Sequence, residues 1–279
     1  MTRVAVCVPV FDEAERLRDL LASIARAERD GPLQVVVAVD GGDPAVVRAA
    51  EEGGAKVIVV RPNKGSYNAR NAAIDAIDGE VDVVLFTDAD CLVTPAWVRE
   101  HVAALRDGDL SGGGVEWAFS PKPTPAEWVD SIRHLHQRLY VERDGYAATC
   151  NLGVRRSVLD AMRFDATLRT GGDAEFGRRA TASGYRLVYT ERAAIRHVAR
   201  ATRRELMTKV RRIAGGVANQ KARWVERGAP PRARLTRGPW RRAREAGLDV
   251  GPVGGLQACL LDWEANLRIR RAVRKVLAS

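Results

Sequence analysis

With 279 residues the chain can bury a sizeable core as one large domain or two small ones. Cys7, Cys91, Cys150 and Cys259 are scattered without paired spacing, which excludes a zinc-finger pattern or a disulfide framework and fits a reducing cytosol. No apolar run approaches the roughly 18 residues of a membrane span, and Met1 to Val10 reads as a strand rather than a signal peptide, so a cytoplasmic location is expected.

Arg3 to Val10 is the first expected strand. Leu17, Leu20, Leu21 and Ile24 then recur at the period of one helical face. Leu33 to Val39 is a second strand, followed by a helix with Asp43 as N-cap, Pro44 in its first turn and Gly53-Gly54 as its stop. Lys56 to Val60 is a third strand, Ser66 to Ile77 a third helix, and Asp82 to Thr87 a fourth strand, apolar enough to be covered on both faces. Repeated βα units with short loops predict an α/β fold with a mainly parallel sheet flanked by helices.

Each of these strands ends in polar residues along what would be one sheet edge, where ligands bind in open α/β sheets. The ends are Pro9-Val10-Phe11-Asp12-Glu13, Asp40-Gly41-Gly42, Arg61-Pro62-Asn63-Lys64-Gly65 and Asp88-Ala89-Asp90. Asp88 and Asp90 can grip a divalent cation with the phosphates it carries, and the remaining carboxylates can accept from base N–H and ribose hydroxyls while Lys64 and Arg70 offset phosphate charge. Each end taken alone is also ordinary turn chemistry. Neither G-x-G-x-x-G after the first strand nor a P-loop is present, which removes the dinucleotide and P-loop readings.

Further on, Ala96 to Leu105 is an expected helix, Leu110 to Phe119 a strand with Gly112-Gly113-Gly114, and Ala126 to Val141 one amphipathic helix. His134 and His136 stand two apart, on different faces of that helix, so they do not share a metal. Gly171-Gly172 forms a turn and Asp173 lies near a helix start, as an N-cap or as a reactive carboxylate. His197 closes a probable strand ahead of a basic helix. From Arg200 onward 20 Lys and Arg face 6 Asp and Glu, so the overall charge of +10 belongs to this tail. Such a tail suits anionic lipid or another polyanion, or is a solvated surface. Leu256 to Leu277 is a last helix, which packs back on the domain, lies on a membrane or pairs with another subunit.

The ordered set VCVPVFDE, VAVDGGD, RPNKGSYNARNAAI, FTDADCLVTPAWV and GGDAEFGRR resembles the family-2 type of nucleotide-diphosphate-sugar glycosyltransferases, which have the GT-A (Rossmann-like) fold. The likeness covers roughly residues 3–215. It divides the chain into a GT-A domain, 1–215, and a basic helical or loop-rich extension, 216–279. By that resemblance Pro9, Val10, Asp12, Glu13 and Asp40 hold base and ribose, and Lys64 and Gly65 lie against the nucleotide. Asp88 reaches the ribose or a metal-bound water, Ala89 lines the same donor site, and Asp90 ligates Mn²⁺ or Mg²⁺. Asp12 stands where Asn is common, and a Glu-Asp pair usual at the later helix is Gly172-Asp173 here. Asp173 is then the general base, with Glu175 as fallback, and His197 completes the metal site. Gln220, Arg223 and Trp224 match the Q-x-x-R-W pattern of processive sugar polymerases, where it contacts the acceptor.

The function so implied is inverting transfer of a sugar from a nucleotide-diphosphate donor to an acceptor hydroxyl, in cell-surface glycan, glycolipid or secondary-metabolite glycoside synthesis. Expected partners are the donor, a hydroxyl-bearing acceptor and an anionic membrane touched peripherally at its inner face. Oligomerisation stays open, and no nucleic acid is expected. A haloacid-dehalogenase-type phosphatase would carry its Asp-x-Asp on the first strand, whereas here three βα units precede it. A non-enzymatic polyanion binder leaves the acidic sheet edge unexplained.

Overall fold

A computed structural model of the chain describes residues 1–216, 238–245 and 251–278. The first four strands are β1 (Val4–Val10), β2 (Leu33–Asp40), β3 (Lys56–Val60) and β4 (Val83–Thr87), and α1 (Ala14–Ala25), α2 (Pro44–Glu52) and α3 (Ser66–Asp75) join them. Asp43 caps α2 by accepting from Ala45 N at 2.8 Å, with Pro44 in the first turn. β1 lies between β2 and β4, and β2 also pairs with β3, all in parallel. The carboxyl ends of these strands therefore share one edge of the sheet, as repeated βα units demand.

Beyond β4 the sheet changes character. β5 (Cys91–Val93), α4 (Trp97–Ala104), β6 (Leu110–Ala118), β7 (Asn151–Arg155) and β8 (Leu187–Val198) complete eight strands in the order β3-β2-β1-β4-β7-β6-β8-β5. β7 runs antiparallel to β4 and β6, and β5 antiparallel to β8. The parallel arrangement expected from the sequence thus holds over the first four strands and gives way to an antiparallel half. Gly113 permits part of that half, because a Cβ there would lie 2.1 Å from the Ala193 carbonyl oxygen and 2.2 Å from the Asn151 side chain.

The chain forms two compact units, one from residues 1–116 and 136–197, the other from 117–135 and 198–279. The first holds the sheet. Its main core packs Val36, Ala38, Val84, Phe86, Leu152 and Val154 from the strands against Tyr67, Ala73 and Ile74 of α3. Phe176 and Ala180 of α8 (Gly172–Ala182) join the same cluster. α6 (Gln137–Asp144) and α7 (Arg156–Ala161) also belong to this unit. The second unit packs α5 (Pro125–Arg133), α9 (Arg203–Gly215), α10 (Gly238–Glu245) and α11 (Pro252–Leu277) around Trp128, Val129, Leu206, Val210, Ala258 and Ala265.

The single helix expected over Ala126 to Val141 is instead α5 and α6, broken at 134–136. His134 turns back to bond the Asp130 carboxylate at 2.8 Å, and Leu135 takes a left-handed conformation with φ of 57°. Gln137 then spends its side-chain amide on Ala148 N, Ala148 O and Asn151 O.

Candidate active site

The parallel strands deliver their polar ends to one place. Asp40, the last residue of β2, is buried and accepts the backbone N–H groups of Lys64 and Gly65 at 3.0 and 2.9 Å, so its carboxylate shapes the loop that opens α3. The side chain of Lys64 remains exposed. Pro9, Val10 and Ala89 are buried, and Asp12 is exposed. Glu13 pairs with Arg16 at 2.8 Å. Burial, and next the nearby Asp90 carboxylate, push the Glu13 carboxyl above its ordinary value.

α3 supports two more carboxylates. Arg70 is buried and forms an ion pair with Asp88 at the end of β4, rather than facing solvent where a phosphate would meet it. Tyr67, three residues earlier on the same helical face, donates its hydroxyl to Asp173 Oδ1 at 3.3 Å. Asp173 sits in the first turn of α8, whose N-cap is Gly171, so the carboxylate is not the cap. Oδ1 also accepts from Ala174 N at 2.9 Å, while Oδ2 takes no hydrogen bond among the described residues. Burial raises the Asp173 carboxyl above its ordinary value, and the Ala174 N–H, Arg70 and the Tyr67 hydroxyl pull it back. Glu175 is tied to Arg179 one turn on, at 2.6 and 3.1 Å.

Tyr67 also accounts for Gly172. A Cβ at 172 would lie 2.7 Å from the Tyr67 ring, so an acidic side chain before Asp173 and this tyrosine exclude one another as the helix now stands. Arg169, ahead of α8, donates to the Asn63 side chain at 2.9 Å and to its carbonyl at 3.2 Å, which ties the loop at 61–65 to the segment leading to Asp173.

Asp90 gains its neighbours from the antiparallel half. The β5–β8 register sets His197 opposite Cys91, which brings His197 Nε2 to 3.5 Å from Asp90 Oδ2. Ligand atoms of Asp90, Cys91 and His197 lie within 4.8 Å of one another. Carboxylate oxygen and imidazole nitrogen suit Mn²⁺ and related divalent ions. The Cys91 thiol fits that set less well, because burial, with Asp90 next, holds its pKa well above the usual range. It serves Asp90 as a weak donor, with Sγ 3.7 Å from Oδ1.

Sequence reasoning named Arg70 only as a phosphate neighbour and did not pick out Tyr67 or Cys91. The i, i+3 spacing of Tyr67 and Arg70, together with a glycine in place of the family's acid, was the available signal for the first two. Gln220, Arg223 and Trp224 lie outside the described residues.

Comparison with known proteins gives the fold and the family. The chain is 29% identical over 222 residues to glycosyltransferase AglE of Haloferax volcanii, covering 76% of this chain and 72% of that protein. It is 32% identical over 114 residues to an N-acetylglucosaminyltransferase of Bradyrhizobium elkanii, covering 38% and 62% respectively. Among solved structures it resembles the mannosyltransferase PcManGT of Pyrobaculum calidifontis in complex with GDP-Man and Mn²⁺, with a TM-score of 0.60 and 19% identity over 99% of this chain and 74% of that one. It also resembles S. aureus TarS 1-349 in complex with UDP, with a TM-score of 0.54 and 16% identity over 98% and 92%. These likenesses show the GT-A fold. The family model for glycosyl transferase family 2 matches residues 5–163, more than half of the chain, and the protein is therefore a member of that family and a glycosyltransferase.

Proposed function

We propose that the chain transfers a sugar from a nucleotide-diphosphate donor to an acceptor hydroxyl with inversion at the anomeric carbon. The observation that carries this reading is the pairing of Tyr67 with Asp173 and of Arg70 with Asp88 on one face of α3. It holds a proton acceptor and a donor-side carboxylate together although they are far apart in sequence. Asp173, with Oδ2 unengaged and its basicity raised by burial, takes the proton of the acceptor hydroxyl as that oxygen attacks the anomeric carbon. The bond from that carbon to the diphosphate breaks, and the nucleoside diphosphate leaves with the electron pair. Inversion follows because no enzyme nucleophile intervenes.

Asp90 and His197 are the residues that would hold Mn²⁺ or Mg²⁺. When bound, such an ion supplies positive charge against the departing diphosphate. Pro9, Val10, Asp12, Glu13 and Asp40 are assigned to base and ribose, with Lys64, Gly65 and Ala89 lining the same donor site. The test is a thermal-shift screen of UDP-, GDP-, CDP- and dTDP-sugars with and without Mn²⁺, followed by product NMR with the donor that stabilises most. GDP and UDP come first, since PcManGT was solved with GDP-Man and TarS with UDP. An α-linked donor should give a β-linked product. Retention of configuration would overturn the mechanism.

A further inference from the structure

The second unit leaves one face of α11 exposed in a way its own packing does not require. Ala258, Leu261, Ala265 and Ile269 turn inward against α5 and α9. On another face Val253, Leu256, Leu260 and Trp263 repeat at three- and four-residue steps and are 69%, 55%, 43% and 37% exposed. Of the nine exposed large apolar side chains among the described residues, four stand on this stripe, so it is a patch rather than scatter. Continued by the same steps, the face passes Leu267 and reaches Arg271 and Arg274, both exposed.

The charges on the helix choose the partner. Its only acidic residues, Asp262 and Glu264, are already paired, the first with Arg133 and the second with Arg203 and Arg268. The stripe therefore offers apolar surface and positive charge, and the one carboxylate beside it, Glu264 one turn beyond Leu260, is already held by two arginines. A second copy of the chain would set Arg271 and Arg274 against the same arginines in a parallel pair, or against apolar side chains in an antiparallel one. Neither arrangement supplies a counter-charge. An anionic lipid surface supplies both, with acyl chains for Val253 to Trp263 and phosphates for the guanidinium groups. No helix among the described residues is long and apolar enough to cross a membrane, so the contact is a helix lying in the interface. The geometry points to α11 as an element that docks the protein on an anionic membrane surface through Val253, Leu256, Leu260, Trp263, Arg271 and Arg274.

The experiment is sedimentation of the full chain with vesicles of phosphatidylcholine alone or with an equal share of phosphatidylglycerol. The mixed vesicles should be bound, the neutral ones far less, and salt should weaken binding. Arg271→Glu/Arg274→Glu should lower affinity for mixed vesicles by at least about tenfold, since each basic side chain near such a surface contributes about fivefold. Leu260→Ser/Trp263→Ser should do the same without changing the melting temperature or nucleotide binding. Should that apolar variant fold poorly, the exposed arginine pair decides alone. Equal binding to both vesicle types, or arginine variants that bind like the wild type, would overturn the proposal. So would a dimer in sedimentation velocity that the Leu260/Trp263 variant dissolves, because the stripe would then be a subunit interface.

Discussion

Two polar regions of the sheet unit sit next to each other and are built on opposite rules. At the open edge, Asp88, Asp90 and Asp173 are acidic side chains with cationic, imidazole and phenolic neighbours. Just behind it, Asn151 pairs with Thr87 in the β4–β7 ladder and anchors a network that is buried and neutral. Its Oδ1 accepts from Trp97 Nε1 at 2.7 Å and from His101 Nε2 at 2.8 Å, and its Nδ2 donates to the carbonyls of Gly114 and Ala193, both at 2.7 Å. Because Oδ1 is only an acceptor, His101 carries its proton on Nε2, and Nδ1 accepts from Ser111 Oγ at 2.7 Å. The lesson is a division of labour. The interior network satisfies itself and fixes strand positions, whereas the edge keeps the acidic groups that the proposed reaction would use.

Substitutions should therefore separate cleanly, with edge changes altering turnover and network changes altering stability. The largest effect is expected for Asp173→Asn, which removes the proposed proton acceptor and should cut transfer by about 10²- to 10⁴-fold with nucleotide affinity preserved. Its melting temperature should hold or rise slightly, since burial works against the charged form of Asp173. Steady-state kinetics with matched nucleotide titrations check this, and a near wild-type rate would transfer the role to Glu175 or to the substrate. Asn151→Leu should do the reverse. It strands the Trp97 and His101 donors and two carbonyls, costing on the order of 3 kcal/mol or more in urea unfolding. Asp90→Asn should reduce Mn²⁺-dependent nucleotide binding by at least the roughly 10- to 100-fold that loss of an outer supporting partner costs, read by calorimetry.

A pH series sharpens the contrast further. Burial lowers His101 to about 4 from an ordinary 6.5, so the unfolded chain takes up the proton first. The stability that comes from keeping His101 neutral is complete above about pH 6.5 and is lost as pH falls toward 4. His134 of the other unit is likewise lowered to about 4, chiefly by burial, and adds to the same window. Urea midpoints at successive pH values should fall through that range. The smallest effect is expected for Tyr67→Phe. Losing a hydroxyl that favours the ionised form should raise the Asp173 carboxyl further, moving the acid limb of the rate profile upward while rates at high pH change little. An unmoved acid limb would mean that Tyr67 only packs.

The edge was far more legible in the sequence than the network. Val36 to Val39 and Val83 to Thr87 announce themselves as β-favouring runs that lead directly into Asp40 and Asp88, and Asp43-Pro44 marks a helix start that the structure reproduces. By contrast β5 has three residues, too few to show any period, and its partner in β8 lies about a hundred residues later. His197 could be placed at a strand end, but its meeting with Cys91 depends on that long-range register. Asn151 gave no signal, because a buried asparagine is defined by partners on four other segments. The break between α5 and α6 depends on where His134 and Gln137 find hydrogen bonds, which no local propensity encodes.

The β5–β8 pairing also sets an order of events during synthesis. Asp90 and His197 become neighbours only through a ladder that closes after the chain has been made past residue 197. A nascent chain that carries only the early strands has the residues of the Asp40 loop and of the parallel sheet, yet one half of the proposed cation site. Ion capture at the proposed site would then wait for a molecule whose sheet is complete, and a bound ion would hold that completed state against reopening.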